Sequence, residues 1–421
     1  LTYLLADEKN VRRHLLPLTF TRPVALLRVG IVTLQEKWNR LLGEDAGFWV
    51  EDYLQGKFAA KPAKAEKPAA EEGKCLMINA SVIPDAALAE ALASLRPDEI
   101  LVPAAPENPE TRENQDLPWI AFYQDCSRLT TYESGLCQDG RISKPYGGKI
   151  LQIGHLWDIF THNGKQIEED LSAIAACRPG EPLQGEGITR MGDCPVYAEA
   201  GARADHCIID TTEGPVYLGR NSRVMPGAYL KGPLALCENS LIKVGAKIYG
   251  GCTFGPHCKV AGEVESSVMI GYSNKAHDGF LGDAVLGEWC NLGAGTNCSN
   301  LKNDYSPVRV WSYAEEKFVK TGLQFCGLFM GDHAKSAIGT QFNTGTVVGV
   351  AANVFAAGFP KNFIPSFTWG KETYRVERAI DTARAVWARR NKDFTECEAD
   401  ILRCIYQQTV ENRTRSQSED A

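Results

Sequence analysis

The residues with the clearest chemical content run from Asn274 to Asn300. They read Asn274-Lys275-Ala276-His277-Asp278-Gly279-Phe280-Leu281-Gly282-Asp283-Ala284-Val285-Leu286-Gly287, continuing to Asn291-Leu292-Gly293-Ala294-Gly295-Thr296-Asn297-Cys298-Ser299-Asn300. A histidine titrates near neutrality, so His277 is suited to act as a general base. The Gly293-Ala294-Gly295 turn offers backbone N–H groups that can donate to a developing oxyanion. A second set of reactive side chains lies near the N-terminus. Arg12, Arg13, Arg22 and Arg28 follow the first apolar run, with no glycine before Gly30. Guanidinium groups can hold phosphates directly through such side chains. His257, after Pro256, reads as an exposed turn residue, and His333, in Gly331-Asp332-His333, as structural, with a second site residue as the alternative.

The element that must position the first set announces itself by a period of six. Every sixth residue from Leu218 is large and apolar: Leu218, Val224, Leu230, Leu236, Ile242, Ile248, Phe254 and Val260. The pattern breaks near Ser266, resumes at Phe280, Leu286, Leu292 and Cys298, and returns at Ile338, Thr344 and Val350. A period of six is neither helical nor a simple strand alternation. It fits a coil of three short strands, each sending one side chain inward, with stacked coils burying a continuous column. Hexapeptide coils of this kind are left-handed parallel β-helices. Residues 299–327 lack the repeat and contain Tyr305, Trp311, Tyr313 and Phe318, which predicts an excursion on the binding face.

The first half alternates short apolar runs with helical patterns, which predicts an α/β layer fold with a largely parallel sheet. Candidate strands are Tyr3–Ala6, Cys75–Asn79, Glu99–Val102 and Lys149–Ile153; candidate helices are Thr33–Leu42 and Asp85–Ser94. Residues 57–74 are rich in Ala, Lys, Pro and Glu and read as an exposed insertion. After a turn-rich exit at residues 359–365, residues 371–408 are helical, with Val376, Ala379, Ile380, Ala383, Val386 and Trp387 on one apolar face. The expected domains are 1–185 (α/β), 190–368 (β-helix) and 369–411 (helices), with a frayed polar tail at 412–421.

The 421 residues are 44% hydrophobic and 23% charged, with a net charge of −7, as in ordinary globular proteins. That balance excludes a nucleic-acid partner driven by charge. No apolar run nears the roughly 20 residues that span a bilayer, so no membrane association is expected. The opening Leu1–Asp7 is too short for a signal peptide and reads as a buried first strand. The 14 cysteines include no C-x-x-C pair. They are expected to be reduced thiols in a cytoplasmic protein, with Cys252, Cys258, Cys290 and Cys298 as small apolar wall residues.

The string from His277 to Asn300 resembles the acetyltransferase half of the bifunctional glucosamine-1-phosphate acetyltransferase and N-acetylglucosamine-1-phosphate uridyltransferase. That family carries "KAGH…Y(L/I)GDA.IG…NIGAGT…N" on a left-handed β-helix. N-acetylation needs an amine made neutral before it attacks a thioester. The resemblance implies that His277 is the general base and that Asn300 holds it or the amine. It also implies that Lys247, Phe280, Asn291 and Ala294 contact substrate, with Lys247 in place of an arginine and acetyl-CoA as acyl donor. Glu265 stands where the family has a basic residue, Leu301 replaces a tyrosine, and Phe325–Lys335 departs from the family spacing. Taken whole, from "LLPLTFTRP…LRVGI…EKW" to "FMGDH…NTGTVVG…PSFTWG", the chain resembles the variant of this enzyme found among Bacteroidetes-type bacteria. Sugar nucleotidyltransferases open with a G-x-G-T-R loop and a later Lys-Pro. Here Arg22-Pro23 stands in the Lys-Pro place, and Arg12, Arg13, Arg22 and Arg28 are the nucleotide-binding candidates. Asn79 replaces the usual Asp ligand of Mg2+. The implied partners are a sugar 1-phosphate and UTP or dTTP, in a homotrimer packed through small residues such as Ala228, Ala235, Ala246 and Cys252. Alternatives are a glucose-1-phosphate thymidylyltransferase-like enzyme using the β-helix only for assembly, and a non-catalytic trimeric regulatory paralogue.

Overall fold

A computed structural model describes residues 2–58, 73–104, 117–126, 129, 132, 140–355 and 357–418. The chain divides into two compact units, residues 1–15 with 21–27 and 33–155, and residues 16–20 with 28–32 and 156–421. The first is a Rossmann-like α/β layer. Its six-stranded sheet has the order Gly47–Trp49, Thr2–Ala6, Lys74–Asn79, Ala121–Asp125, Glu99–Pro103, Ile142–Tyr146. Thr2–Ala6 is parallel to both neighbours, and the last two strands are parallel to each other. Ala121–Asp125, which the sequence pattern did not reveal, runs antiparallel to both of its neighbours.

Helices α1 (Lys9–His14), α2 (Leu34–Leu42), α3 (Asp52–Phe58) and α4 (Ala86–Ala93) complete this unit. α2 starts where Thr33 and Glu36 form a reciprocal capping box and stops at Gly43, which takes the left-handed conformation. Its Trp38 is fully buried and donates to the Val82 carbonyl at 3.0 Å. The insertion expected at 57–74 is narrower at both ends: Lys57 and Phe58 finish α3, and Lys74 begins a strand. Residues 59–72 lie outside the described residues. One expectation about the cysteines is corrected. Cys75 and Cys126 form a disulfide, because the antiparallel register sets Cys75 opposite Gln124 and brings Cys126 alongside. The unrecognised strand Ala121–Asp125 is what joins two cysteines 51 residues apart. The other described cysteines are free thiols.

The second unit is a left-handed parallel β-helix with three walls. The first wall has nine strands, from Val196–Ala198 to Phe363–Ile364. The second runs from Arg203–Ala204 through Asn274–Lys275, then across single bridges at Asn291 to Lys335–Ser336 and beyond. The third runs from Thr189–Met191 to Phe280–Gly282, with the pair Asn297–Cys298 and Gln341–Phe342 further along the coil. All eight residues of the six-residue column from Leu218 to Val260 are at most 2% exposed and form one core. The later registers agree in part: Leu286, Leu292 and Cys298 point inward as expected, and others do not. Leu281, not Phe280, points inward, and Phe280 faces out. Ile338 is 81% exposed, and the true inward column is Met330, Ser336, Phe342, Val348 and Val354. Two interruptions shift the count. Val260 pairs with Lys275 rather than with a residue three hexapeptides on, and Leu286 pairs with Met330 across the repeat-free stretch, so counting by six loses phase at each.

Helix α5 (Asp158–Cys177), unforeseen in the sequence, groups with this unit and covers part of the first wall. Ile167 and Leu171 pack on Tyr197, Tyr217 and Ala235, together with Ile31. Ala228, Ala246 and Cys252, expected on an outer packing face, lie in the lumen, and Ala235 lies under α5. The segment at Gly30 is bound tightly. Its N–H donates to Asn163 Oδ1 at 2.8 Å, Ile31 N–H donates to Asp170 at 2.9 Å, and Thr253 donates to the Gly30 carbonyl at 3.0 Å. Three helices close the chain: α6 (Val376–Ala388), α7 (Glu396–Gln408) and α8 (Val410–Ser418). Ala379, Ile380 and Ala383 bury the expected apolar face of α6. The tail from Asn412 is not frayed up to residue 418. Arg413 is buried in α8, donating to Thr409 Oγ1 and to the Tyr406 carbonyl at 2.7 Å each. No helix among the described residues is long and apolar enough to cross a membrane.

Gly30 has φ +89°, and an added Cβ would sit 2.7 Å from the Gln166 carbonyl oxygen. Gly30→Ala is therefore expected to destabilise the protein by roughly 2 kcal/mol through strain and displacement of α5. A urea unfolding series comparing the two proteins checks this.

Candidate functional site

The His277 corner stacks on the shortened corner of the coil before it: only Ala261 and Gly262 separate the strands there, against four residues, 276–279, at His277. Lys275 occupies an inward position, opposite Val260, where neighbouring coils place aliphatic residues. It is 1% exposed, and its ammonium donates to the Ala261 carbonyl at 3.3 Å and to the His277 carbonyl. Burial pulls the Lys275 ammonium down to about 8. The sequence reading quoted Lys275 but gave it no role. The available signal was a lysine falling in an apolar column, and the shortened coil concealed it.

With its carbonyl held from inside, His277 projects its ring outward, exposed and without a hydrogen-bond partner among the described residues. The corner stacks directly on the next coil. Gly295 N–H donates to the Asp278 carbonyl at 3.1 Å, and Phe280 N–H donates to Asn297 Oδ1 at 2.8 Å. Gly282 is crowded by the Phe280 ring and by Asn300 Nδ2, each less than 3 Å from where its Cβ would stand. Phe280 and Asn300 therefore flank one spot on the third wall. Asn300 donates to Asp283 Oδ2 at 2.7 Å. Burial lifts the Asp283 carboxyl to about 6, with the Asn300 hydrogen bond pulling the other way. Asn300 is thus held by Asp283, a further residue that the sequence reading left without a role.

The Gly293–Gly295 turn supplies fewer oxyanion donors than expected. Gly293 N–H donates to Ser336 Oγ at 3.2 Å and Gly295 N–H to Asp278, leaving the Ala294 N–H as the one with no partner among the described residues. Two further candidates stand apart from the corner. Asn291 is on the second wall beside Asn274. Lys247 is on the third wall, 3.8 Å from Glu263, and Glu263 separates it from Phe280 in the strand order. His257 sits in a turn as expected but is not exposed: it is half-buried and stacks on Tyr272 at 4.7 Å. His333 is buried beside Trp289.

The repeat-free stretch forms a hairpin, Arg309–Ser312 with Lys317–Lys320, closed at its base by a bridge between Leu301 and Phe325. With α8 and the coil it encloses a cavity of about 1050 Å3, lined by Ser299, Leu301, Arg309, Trp311, Phe318 and Asn343 among others.

In the first unit the expected phosphate site takes a different form. Arg12 is buried and donates to Asp7 Oδ2 at 2.8 Å, to the Arg22 carbonyl at 3.2 Å and to Tyr53 at 2.9 Å. Asp7 also accepts from Val24 N–H at 2.9 Å. Burial raises the Asp7 carboxyl to about 6, against the pull of Arg12. Arg12 therefore anchors the loop after the first strand. Arg13 is exposed, Arg22 is buried, and Arg28 belongs to the second unit, where it donates to the Ile31 carbonyl. Asn79 does not fit a Mg2+ ligand. It is fully buried, its Nδ2 donates to the Trp119 carbonyl at 3.1 Å, and its Oδ1 accepts from Ser81 N–H and Oγ at 3.1 and 2.7 Å. No cluster of three or more His, Cys, Asp or Glu side chains suited to a metal occurs among the described residues.

Comparison with known proteins gives matches to parts of the chain. A family model described as sugar nucleotidyl transferase matches residues 3–178. Over 130 residues the chain is 32% identical to a bifunctional sugar-1-phosphate nucleotidylyltransferase/acetyltransferase of Sulfurisphaera tokodaii, covering 31% of this chain and 28% of that protein. Over 112 residues it is 34% identical to the bifunctional protein GlmU of Methanococcus aeolicus, covering 26% of each. It is also 29% identical over 140 residues to YaiX, an uncharacterised acetyltransferase of Escherichia coli, covering 33% of this chain and 59% of that one. The matches thus span just over a quarter of the length of the two bifunctional relatives.

Two outcomes follow from this geometry. Arg12→Ala leaves the Asp7 carboxylate buried and unpaired, so it is expected to lower stability by about 3–5 kcal/mol, while Arg13→Ala, at an exposed position, leaves stability unchanged; chemical denaturation of both variants checks the contrast. For Lys275 the folded value lies below the unfolded 10.5. The stability linked to it is therefore absent below about pH 8 and is gained as pH rises from about 8 towards 10.5. Relative to Lys275→Met, the wild type should be least favoured at pH 7 and should recover by pH 10, read as the difference in Tm between the two proteins at each pH.

Proposed function

We propose that the β-helix acetylates the amine of an amino-sugar 1-phosphate, glucosamine 1-phosphate in the first instance, with acetyl-CoA as donor. The observation that carries this reading is the corner itself: His277 is exposed, the Asp278 and Phe280 backbone that follows it rests on Gly295 and Asn297 of the next coil, and Phe280 and Asn300 crowd together at Gly282. The relatives named as acetyltransferases support it. In the reaction the substrate nitrogen attacks the thioester carbonyl, and His277 takes the proton that the nitrogen sheds. The oxyanion accepts from the Ala294 N–H. Collapse breaks the C–S bond, completes the amide, and returns the proton to the departing thiolate. The cavity beside the hairpin, next to Asn300, accommodates the acyl donor. Asn291 lies on a different wall from the corner, so neighbouring coils of a homotrimer complete the site.

The first unit, matched as a sugar nucleotidyl transferase, transfers a uridylyl group from UTP to the acetylated sugar phosphate, or a thymidylyl group from dTTP to another sugar 1-phosphate. The residue division is about 1–185 for this activity and 190–368 for acyl transfer. With Arg12 holding Asp7, nucleotide contact falls to Arg13 and Arg22. The whole is a transferase of nucleotide-sugar biosynthesis, of the variant found in Bacteroidetes-type bacteria, acting in the cytoplasm. A second reading has a specific observation in its favour. Asn79 and Arg12 are both consumed by internal hydrogen bonds, as in a first unit kept for assembly or regulation.

His277→Ala should reduce acetyl transfer from acetyl-CoA to glucosamine 1-phosphate by about 10²–10⁴-fold. The melting temperature should hold, since the ring is outside the lumen. The residual rate should rise with pH as more of the amine becomes neutral unaided, and nucleotidyl transfer should be unaffected. A wild-type protein that acetylates no amino-sugar phosphate would overturn the reading.

A further inference from the structure

The second wall of the coil carries a cavity of about 510 Å3 beneath the C-terminal end of α6. Lys259, Lys335, Arg389 and Arg390 line it, with the amides of Asn274 and Asn291, and no carboxylate is among its lining residues. The wall itself sets up this arrangement. Lys259, Asn274, Asn291 and Lys335 occupy successive rungs of one outward column, about 4.8 Å apart per rung. The two arginines come from the other side. Trp387 near the end of α6 stacks on Trp289 at 4.8 Å, which fixes where the following residues Arg389 and Arg390 emerge. Arg390 donates to Asn274 Oδ1 at 3.4 Å, and Lys335, largely buried along its stem, donates to the His333 carbonyl at 2.9 Å.

Basic residues at a helix C-terminus are favoured by the helix dipole. That accounts for Arg389 and Arg390 but not for two lysines on the opposite wall facing them. Like charges brought together without counter-charges oppose folding unless an anion joins them. The mutual repulsion is visible at Lys259, whose ammonium is pulled below its usual range by burial and then by Arg390 and Arg389. The kind of anion follows from the rings. Tyr272 stacks on Trp289 at 4.3 Å, and His257 and Trp387 extend the stack. Their faces are taken by one another, so a nucleobase has no platform there. What remains is guanidinium, ammonium and amide donors around a compact space, which match the oxygens of a phosphate.

We propose that this cavity is a binding site for the phosphoryl group of a phosphate ester. It supplies the positive charge that the third wall lacks, where Lys247 pairs with Glu263 and Glu265 replaces a basic residue. Two sources share this chemistry, the 1-phosphate of an amino sugar and the phosphates of coenzyme A. The site stands on the cavity alone and does not depend on acyl transfer.

Calorimetric titration of the full chain at low ionic strength with inorganic phosphate, glucosamine 1-phosphate and coenzyme A tests it. Binding is expected for inorganic phosphate and for at least one of the esters, and the tighter ester identifies the source. The double variant Lys335→Gln with Arg390→Gln should weaken that binding at least tenfold, with circular dichroism and Tm matching wild type. Should that variant fold poorly, Lys259→Gln with Arg389→Gln, both at exposed positions, gives the same reading. Absence of binding to all three probes, or equal affinity in wild type and folded variants, overturns the proposal. A wild type that binds phosphate through these residues yet acetylates nothing upholds it while removing the acyl-transfer reading.

Discussion

A coil of three short strands can bury only the side chains that enter its lumen, and one coil alone encloses almost nothing. Stability of the second unit therefore depends on every coil presenting an inward residue directly beneath that of the coil before it. The column from Leu218 to Val260 meets that demand without exception, and its members form one continuous core. Everything else in this unit is arranged on the outside of that column. Turns at the corners fall at fixed points, so side chains there also stack. His257, Tyr272, Trp289 and His333 succeed one another at one corner, all with positive φ near 50–60°. The stack is a by-product of the coil, and it gives α6 a surface on which to seat Trp387.

The same constraint shapes the proposed site, which lies where the repeat is imperfect. Removing residues from a coil leaves its corner carbonyls without the strand partners that a full coil provides. At the Ala261 and His277 corner an interior lysine supplies the missing donor. A buried ammonium is unfavourable unless its hydrogen bonds are satisfied, so its geometry is narrowly set, and with it the direction in which His277 leaves the coil. Asn300, held by Asp283, is fixed from the other side of the same patch. The corner where acyl transfer is proposed is thus supported by side chains of the coil interior and its wall, Lys275 and Asp283.

Charge is handled differently in the two units. In the first, Arg12 and Asp7 are buried against each other and tie the loop after the first strand to Tyr53 and Val24. A guanidinium so committed cannot also serve as an open phosphate clamp. In the second unit, positive charge collects beside Asn291 with no carboxylate among the cavity's lining residues. Judged by which arginines and lysines remain available, the surface of the coil is better equipped for phosphate than the loop that sequence reasoning nominated.

The amino-acid sequence alone determined the class of both halves, because periodicity is local. A six-residue apolar period has only one way to close, and alternating strand and helix patterns imply a layered α/β sheet. The family resemblance of one unbroken string also singled out His277, Phe280, Ala294 and Asn300, and in the coil residues about 17 apart in that string fall on adjacent rungs. What it left undecided are matters of register and of distant pairing. One short coil put Phe280 outside the lumen and Lys275 within it, and the repeat-free stretch, across which Leu286 pairs with Met330, set the last apolar column off Ile338. A strand without strong alternation, Ala121–Asp125, carried Cys126 to Cys75. Helix α5 has an apolar face that becomes legible only against Tyr197 and Tyr217. Whether Arg12 faces phosphate or Asp7, and whether Asn79 faces a metal or Ser81, depends on which neighbours the fold delivers, and no spacing along the chain encodes that.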